Sequence, residues 1–265
     1  MQNWAAMLVA LALALSGCQQ MQTNGGSAGA SSPTDQGVQP VSTAAQHAKI
    51  FSELAAEYFK RGQFKVALED VRKAIAADNR YGPAYNVLGL IYMELAEDQL
   101  AEENFRKAVD LDRADSESHN DYGWFLCTRG RYDEALAQFT DALRNPLYET
   151  PEQALANAGL CKEKKGELEK AEASFMKALK LQPDYPLATI SLARLYFRED
   201  KLNESERLLN RYHDVAPPTA ESLWLGVRLE RKRGNKDQET AFAAQLHKRF
   251  PNSKEDELMI SGRFE

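Results

Sequence analysis

Three cysteines and four histidines are the residues of this chain whose types could carry nucleophilic, redox or metal chemistry. A zinc or catalytic site needs several of them at short fixed spacings, such as His-Glu-x-x-His on one helix face or a Cys-x-x-Cys pair. His47, His119, His213 and His247 lie far apart, and Cys18, Cys127 and Cys161 form neither a Cys-x-x-Cys nor a Cys/His cluster. No nucleophile stands beside a base. The chain therefore reads as a non-enzyme, with no catalytic residue, no cofactor and no metal ligand. Against 33 basic residues stand 39 acidic ones, a net charge of -6, and the Lys and Arg are spread without a basic stripe. That distribution argues against nucleic acid as a partner.

Cys18 has a different chemistry available. Ala5 to Leu15 is an unbroken apolar run, too short to cross a bilayer at about 18 residues or more. It has the length of a secretory signal peptide. The run ends in Leu15-Ser16-Gly17-Cys18, which resembles the bacterial lipobox, where small residues admit the signal peptidase and the cysteine thiol carries a diacylglycerol. The expected products are a signal peptide over residues 1–17 and a mature N-terminus at a lipidated, palmitate-bearing Cys18. Several acyl chains on one residue give a stable anchor where a single chain gives only marginal binding. Gln19, in place of Asp, resembles the outer-membrane sorting pattern, so the expected location is the periplasmic face of the outer membrane. Residues 18–44 are rich in Gly, Ser, Thr, Gln and Pro with one charge, Asp35, and are expected to form a flexible tether. A random coil of about 25 residues reaches roughly 25–30 Å.

What must position any binding residues is a repeat. Tyr85-x2-Leu88-Gly89-x2-Tyr92 is followed by Ala101-x3-Phe105-x2-Ala108, the pattern of a 34-residue tetratricopeptide unit. The frame recurs upstream at Ala55, Tyr58, Ala67, Val71 and Ala74, and downstream at Tyr122, Gly123, Ala135, Phe139 and Ala142. After a two-residue insertion around Asn145–Tyr148 it returns at Ala158, Gly159, Ala171, Phe175 and Ala178. A fifth unit is looser, through Leu192, Ala193, Tyr196, Ser205, Leu209 and Tyr212, and a sixth keeps Gly226, Gly234 and Pro251. The expected fold is all-α: a tetratricopeptide superhelix, or right-handed solenoid, of about six helix-turn-helix units over residues 45–265. The units fall near 48–81, 82–115, 116–149, 152–185, 186–219 and 220–253, followed by a C-terminal cap. Small residues admit close helix approach and large ones fill the gaps between pairs. In this frame His119 takes a packing position, and Glu102-Glu103 and Asp133-Glu134 fall on solvated faces of second helices.

In such a superhelix, ligands are received mainly by first helices. That side carries Asn86, Leu90, Met93, Asn120, Trp124, Ile190, Arg194 and Phe197, which read as a solvent-facing apolar groove suited to an amphipathic helix or an extended apolar segment. Trp124 is its central residue, the alternative being that the neighbouring repeat partly buries it. Arg194, Arg198, Arg228 and Arg231 add positive charge toward the C-terminal end, available to an acidic patch on a partner or to solvent. Cys127 and Cys161 occupy sites offset by two residues in the frame, which favours two free thiols over a disulfide.

Taken together, lipobox, tether and repeats resemble the type IV pilus biogenesis and stability lipoproteins called pilotins. The stretch Asn120-Asp-Tyr-Gly-Trp-Phe-Leu-Cys127 followed by Arg129-Gly-Arg-Tyr-Asp133 is similar to that family in particular. The resemblance implies a monomeric protein that binds the pilus secretin subunit and promotes its outer-membrane localisation and multimerisation, as pilus biogenesis and twitching motility require. The alternative is a lipid-anchored adaptor that recruits a periplasmic protease or cell-wall enzyme.

Overall fold

The computed structural model describes residues 43–264. The expected signal peptide, the expected lipidation at Cys18, and the expected tether as far as residue 42 fall on residues outside the described ones. Every regular element within them is a helix. Six antiparallel pairs follow one another: α1 (Thr43–Lys60) with α2 (Phe64–Ala77), α3 (Gly82–Glu94) with α4 (Asp98–Leu111), and α5 (Ser116–Thr128) with α6 (Tyr132–Ala142). These are succeeded by α7 (Pro151–Lys165) with α8 (Leu168–Leu181), α9 (Pro186–Arg198) with α10 (Leu202–Val215), and α11 (Ala220–Arg233) with α12 (Lys236–Arg249). A last short helix, α13 (Lys254–Ile260), lies against α11 and α12. The fold is the expected tetratricopeptide solenoid. Helix α1 starts at Thr43, inside the stretch whose composition suggested tether, because Ala44, Ala45 and Ala48 give its first turns strong helix propensity.

Each pair is held by one size-matched contact. A Cβ added to Gly89 would lie 2.8 Å from the Phe105 ring, and one on Gly123 would lie 2.8 Å from Phe139. At Gly159 the same atom would come within 2.5 Å of Phe175. The sixth pair repeats the device with Gly226 and Phe242, again at 2.8 Å. The corresponding positions of the first and fifth pairs hold Ala55 with Val71 and Ala193 with Leu209, all fully or nearly fully buried. An extra methyl on the first helix is thus met by a smaller side chain on the second, and packing density is conserved.

The turns inside the pairs are equally regular. Gly62, Gly130, Gly166 and Gly234 have φ between 70° and 89°, the left-handed conformation that closes a helix at little cost for glycine. Ala96 and Asp200 take the same conformation at φ 58° and 61° in the two pairs that lack the glycine.

Between units, first helices lie side by side, α1 on α3 and so on to α9 on α11, and each also meets the second helix of the preceding unit. Second helices do not touch one another. The array therefore bends with its first helices on the inner side. The end of the array is covered by α13, where Leu258, Met259 and Phe264 pack on Trp224 and Leu246. Asp256 in α13 is buried and accepts a hydrogen bond from His247 Nδ1 at 3.1 Å.

Candidate protein-binding face

The inner side is much more closed than the sequence pattern suggested. Asn86, Asn120, Ile190 and Phe197 are buried, with Asn120 only 1% and Phe197 4% exposed. Leu90, Met93, Trp124 and Arg194 are half-buried. The expectation that these residues face solvent as an apolar groove is therefore corrected. A first helix inside the array has its own second helix, the preceding second helix and two neighbouring first helices around it, which leaves only a thin strip uncovered. Leu90, Met93 and Trp124 do come together, packed against the cluster of Phe105, Tyr122 and Phe125. Ile190 and Phe197 belong to a separate cluster with Leu209, Tyr212 and Leu229. Lys164 Nζ sits 5.4 Å from the centre of the Trp124 ring, a cation–π contact from the next unit.

A polar ladder crosses the inner side of the central units. Asn86 Nδ2 donates to Asp121 Oδ2 at 2.8 Å, Asn120 Nδ2 to Asp121 Oδ1 at 3.3 Å, and Asn157 Nδ2 to Asn120 Oδ1 at 3.0 Å. It links α3, α5 and α7. Burial, opposed by the hydrogen bond from Asn86 and reinforced by the nearby charges of Glu117 and Asp115, pushes Asp121 up to about 7. Nothing in the repeat pattern marks Asp121. In sequence it adjoins only one of the ladder's three asparagines, Asn120.

The same units carry a disulfide between Cys127 and Cys161, with Cα atoms 5.7 Å apart. This overturns the expectation of two free thiols. Neighbouring first helices turn opposite sides toward each other, so facing residues do not share one frame position. Asn120 meets Asn157 across 37 positions near the start of the helices, while Cys127 meets Cys161 across 34 near their ends. Offset in the frame is what brings the sulfurs together. His119 packs as expected, with Nδ1 2.7 Å from Gln138 Oε1 and Nε2 3.2 Å from the Arg113 carbonyl oxygen.

Toward the C-terminal end, ion pairs replace the ladder. Glu163 on α7 accepts from Arg194 at 2.8 Å and from Arg198 at 2.9 Å on α9, and Arg194 also pairs with Glu221 on α11. Lys232 pairs with Asp200 at 2.7 Å and Arg233 with Glu206. Of the four arginines singled out by sequence, Arg194, Arg198 and Arg231 have carboxylate partners, while no ion pair forms at Arg228 among the described residues.

Exposed apolar surface lies elsewhere than expected, chiefly on second helices. Met176 is 53% and Leu181 55% exposed on α8. A cleft of about 400 Å³ between α8 and α10 is lined by Met176, Leu179, Leu192, Tyr196 and Leu208. Among the described residues no group of three or more His, Cys, Asp or Glu is placed to hold a metal ion, and no helix is long and apolar enough to cross a membrane.

Comparison with known proteins supplies relatives for this arrangement. Tetratricopeptide repeat family models match residues 82–115, 104–137, 126–186 and 164–224. The type IV pilus assembly protein PilF of Pseudomonas aeruginosa is 27% identical over 253 residues, covering 95% of each chain. Its crystal structure superposes with a TM-score of 0.75 at 25% identity, over 83% of this chain and 100% of that one. The crystal structure of PilW, described as a widely conserved type IV pilus biogenesis factor, superposes with a TM-score of 0.73 at 33% identity, over 81% of this chain and 99% of that one. Matched at 33% identity over 81% of its length to PilW, and over essentially the full length of both solved structures, this chain belongs to the tetratricopeptide-repeat family of type IV pilus biogenesis proteins that includes PilW and PilF.

Proposed function

We propose that the protein is a pilotin: an outer-membrane lipoprotein that binds the secretin subunit of the type IV pilus, carries it to the outer membrane and promotes its assembly into a ring. The observation that carries this reading is the family membership along the whole array, since a shared solenoid alone says only that protein is bound. The lipobox at Cys18 supplies the anchor in this reading, and the tether after it lets the array reach subunits in the periplasm. Binding falls to exposed strips of the array, the Leu90–Met93–Trp124 edge on the inner side or the apolar cleft between α8 and α10, by groove recognition of a secretin segment. Transport and chaperoning are then one act.

The test is the location and multimer state of the pilus secretin in cells lacking the gene, measured by membrane fractionation and a gel that preserves the ring. Monomeric or inner-membrane secretin is expected, and Cys18→Ser is expected to fold normally yet leave secretin misplaced. Normal rings in the outer membrane of the deletion strain would sink the pilotin reading and turn attention to an adaptor that recruits a periplasmic hydrolase.

A further inference from the structure

The C-terminal end of the inner side holds a cavity of about 610 Å³ lined by Phe197, Arg198, Arg228, Arg231, Lys232 and Phe264, with four cations and, among the described residues, no carboxylate on its wall. Three of the cations are paired behind it, Arg198 with Glu163, Arg231 with Glu239 and Lys232 with Asp200. Arg228 is not. Its guanidinium lies 4.6 Å from the centre of the buried Phe197 ring and makes no ion pair among the described residues. Burial pulls its pKa below the usual guanidinium value, and no carboxylate among the described residues restores it, so a half-buried cation stands at the cavity wall with donors to spare.

The chain displays the chemistry that fits. The Phe264 carbonyl oxygen accepts from Arg228 Nε at 3.0 Å, and the Phe264 ring lies 3.8 Å beneath the Arg231 guanidinium and 5.3 Å from Trp224. A peptide backbone and an aromatic ring are thus already held there, while one of the five guanidinium donors of Arg228 is used by that bond.

We propose that this cavity is a docking site for an acidic peptide segment of a partner protein, whose aromatic side chain takes the place of Phe264 under Arg231 and whose carboxylates meet Arg228 and Arg198. Arginine forks favour carboxylates in bidentate geometry, and a ring between Arg231 and Trp224 adds stacking to charge. The inference rests on the reading of the repeats as a protein-binding array but needs no particular partner.

A random heptapeptide display library panned against the immobilised full-length protein is the direct test. Enrichment of sequences with Asp or Glu beside Phe, Tyr or Trp is expected, and basic or uncharged consensus sequences, or no enrichment, overturn the proposal. A selected peptide, labelled for fluorescence anisotropy, is expected to bind about tenfold more weakly to Arg228→Glu and several-fold more weakly in high salt. Because Arg228 packs on Phe197, the half-exposed Arg198→Ala serves as a second variant, its melting curve recorded alongside because it removes one of the two partners of Glu163, and it too is expected to weaken binding. Phe264→Ala is expected to tighten binding by vacating the site, and unchanged or weaker binding overturns the displacement. Vesicles of phosphatidylglycerol binding in an Arg228-dependent way, without peptide enrichment, would assign the cations to a lipid surface and sink the proposal. Secretin assembly is measured separately in the deletion strain, so either reading can fail without the other.

Discussion

The central units and the C-terminal units build the same stack of helices with different glue. From α3 to α8 the first helices are joined by a hydrogen-bonded ladder around Asp121 and by a disulfide, with the ion pairs Arg129–Asp98 and Lys165–Asp133 near the turns. From α7 onward the joints are ion pairs, with Glu163, Arg194 and Glu221 crossing three successive first helices and Lys232–Asp200 and Arg233–Glu206 beyond them. A covalent bond is indifferent to ionic strength, whereas partly exposed ion pairs are screened and each contributes little. The central units therefore carry a covalent tie that salt does not loosen, which the C-terminal units do not share. Arg228 lies in the latter.

The largest effect expected from breaking this contrast comes from the disulfide. A loop of 34 residues closed by a covalent link is worth about 3–4 kcal/mol in chain entropy. Cys127→Ser with Cys161→Ser should lower the free energy of unfolding by that order in a urea titration. Hydrogen exchange should quicken in α5 to α8 and stay unchanged in α11 and α12. Uniform loss of protection along the chain would mean that the two regions are one cooperative block and that the contrast has no energetic content.

A smaller effect is expected from Asp121. Its folded-state pKa of about 7 lies above the ordinary carboxylate value of 3.8, so the folded state binds the proton more tightly than the unfolded one. Stability attributable to Asp121 is then present in full below about pH 4 and is lost as pH rises toward 7. Asp121→Asn keeps the shape and removes the titration. The difference in melting temperature between variant and parent should grow between pH 4 and 7, and a constant difference would show that the ladder carries no buried charge.

Glu163 is the counterpart at the other end. It is 11% exposed at its side chain and accepts from two arginines, so Glu163→Gln should cost about 1–3 kcal/mol. Raising salt to about 1 M shortens the screening length to roughly 3 Å and should shrink that cost, while leaving the cost of disulfide removal unchanged. Equal salt dependence of the two would break the comparison.

How much of this was legible depends on which interactions repeat. The Gly–Phe contacts recur at fixed spacing, so the helix pairs could be read from Gly89, Gly123 and Gly159. Phe242 obeyed the same spacing from Gly226 and was overlooked because the rest of its unit is charged. The inner face was misjudged because a one-dimensional frame separates core from surface within a helix pair but does not register the lateral neighbours that bury Asn120, Ile190 and Phe197. Cys127 and Cys161 were misread for a related reason: which sides neighbouring first helices turn toward each other is a property of the stack and leaves no trace in either helix alone.

The smallest effect sharpens the comparison at the turns, where each region has one departure from glycine. Ala96 in the central region has φ 58° and Asp200 in the C-terminal region φ 61°. Left-handed backbone costs an ordinary residue about 1–2 kcal/mol, and less for Asp, whose short polar side chain tolerates it. Ala96→Gly removes that strain. It also loosens the unfolded chain, which offsets part of the gain, so a net stabilisation of about 0.5–1 kcal/mol is expected. Asp200→Gly relieves less strain and also deletes the carboxylate that holds Lys232 at 2.7 Å, so it should be neutral or destabilising. Denaturation midpoints of the two single variants decide the matter. If both glycines stabilise equally, the Lys232–Asp200 pair contributes nothing, and the ion-pair account of the C-terminal joints loses one of its members.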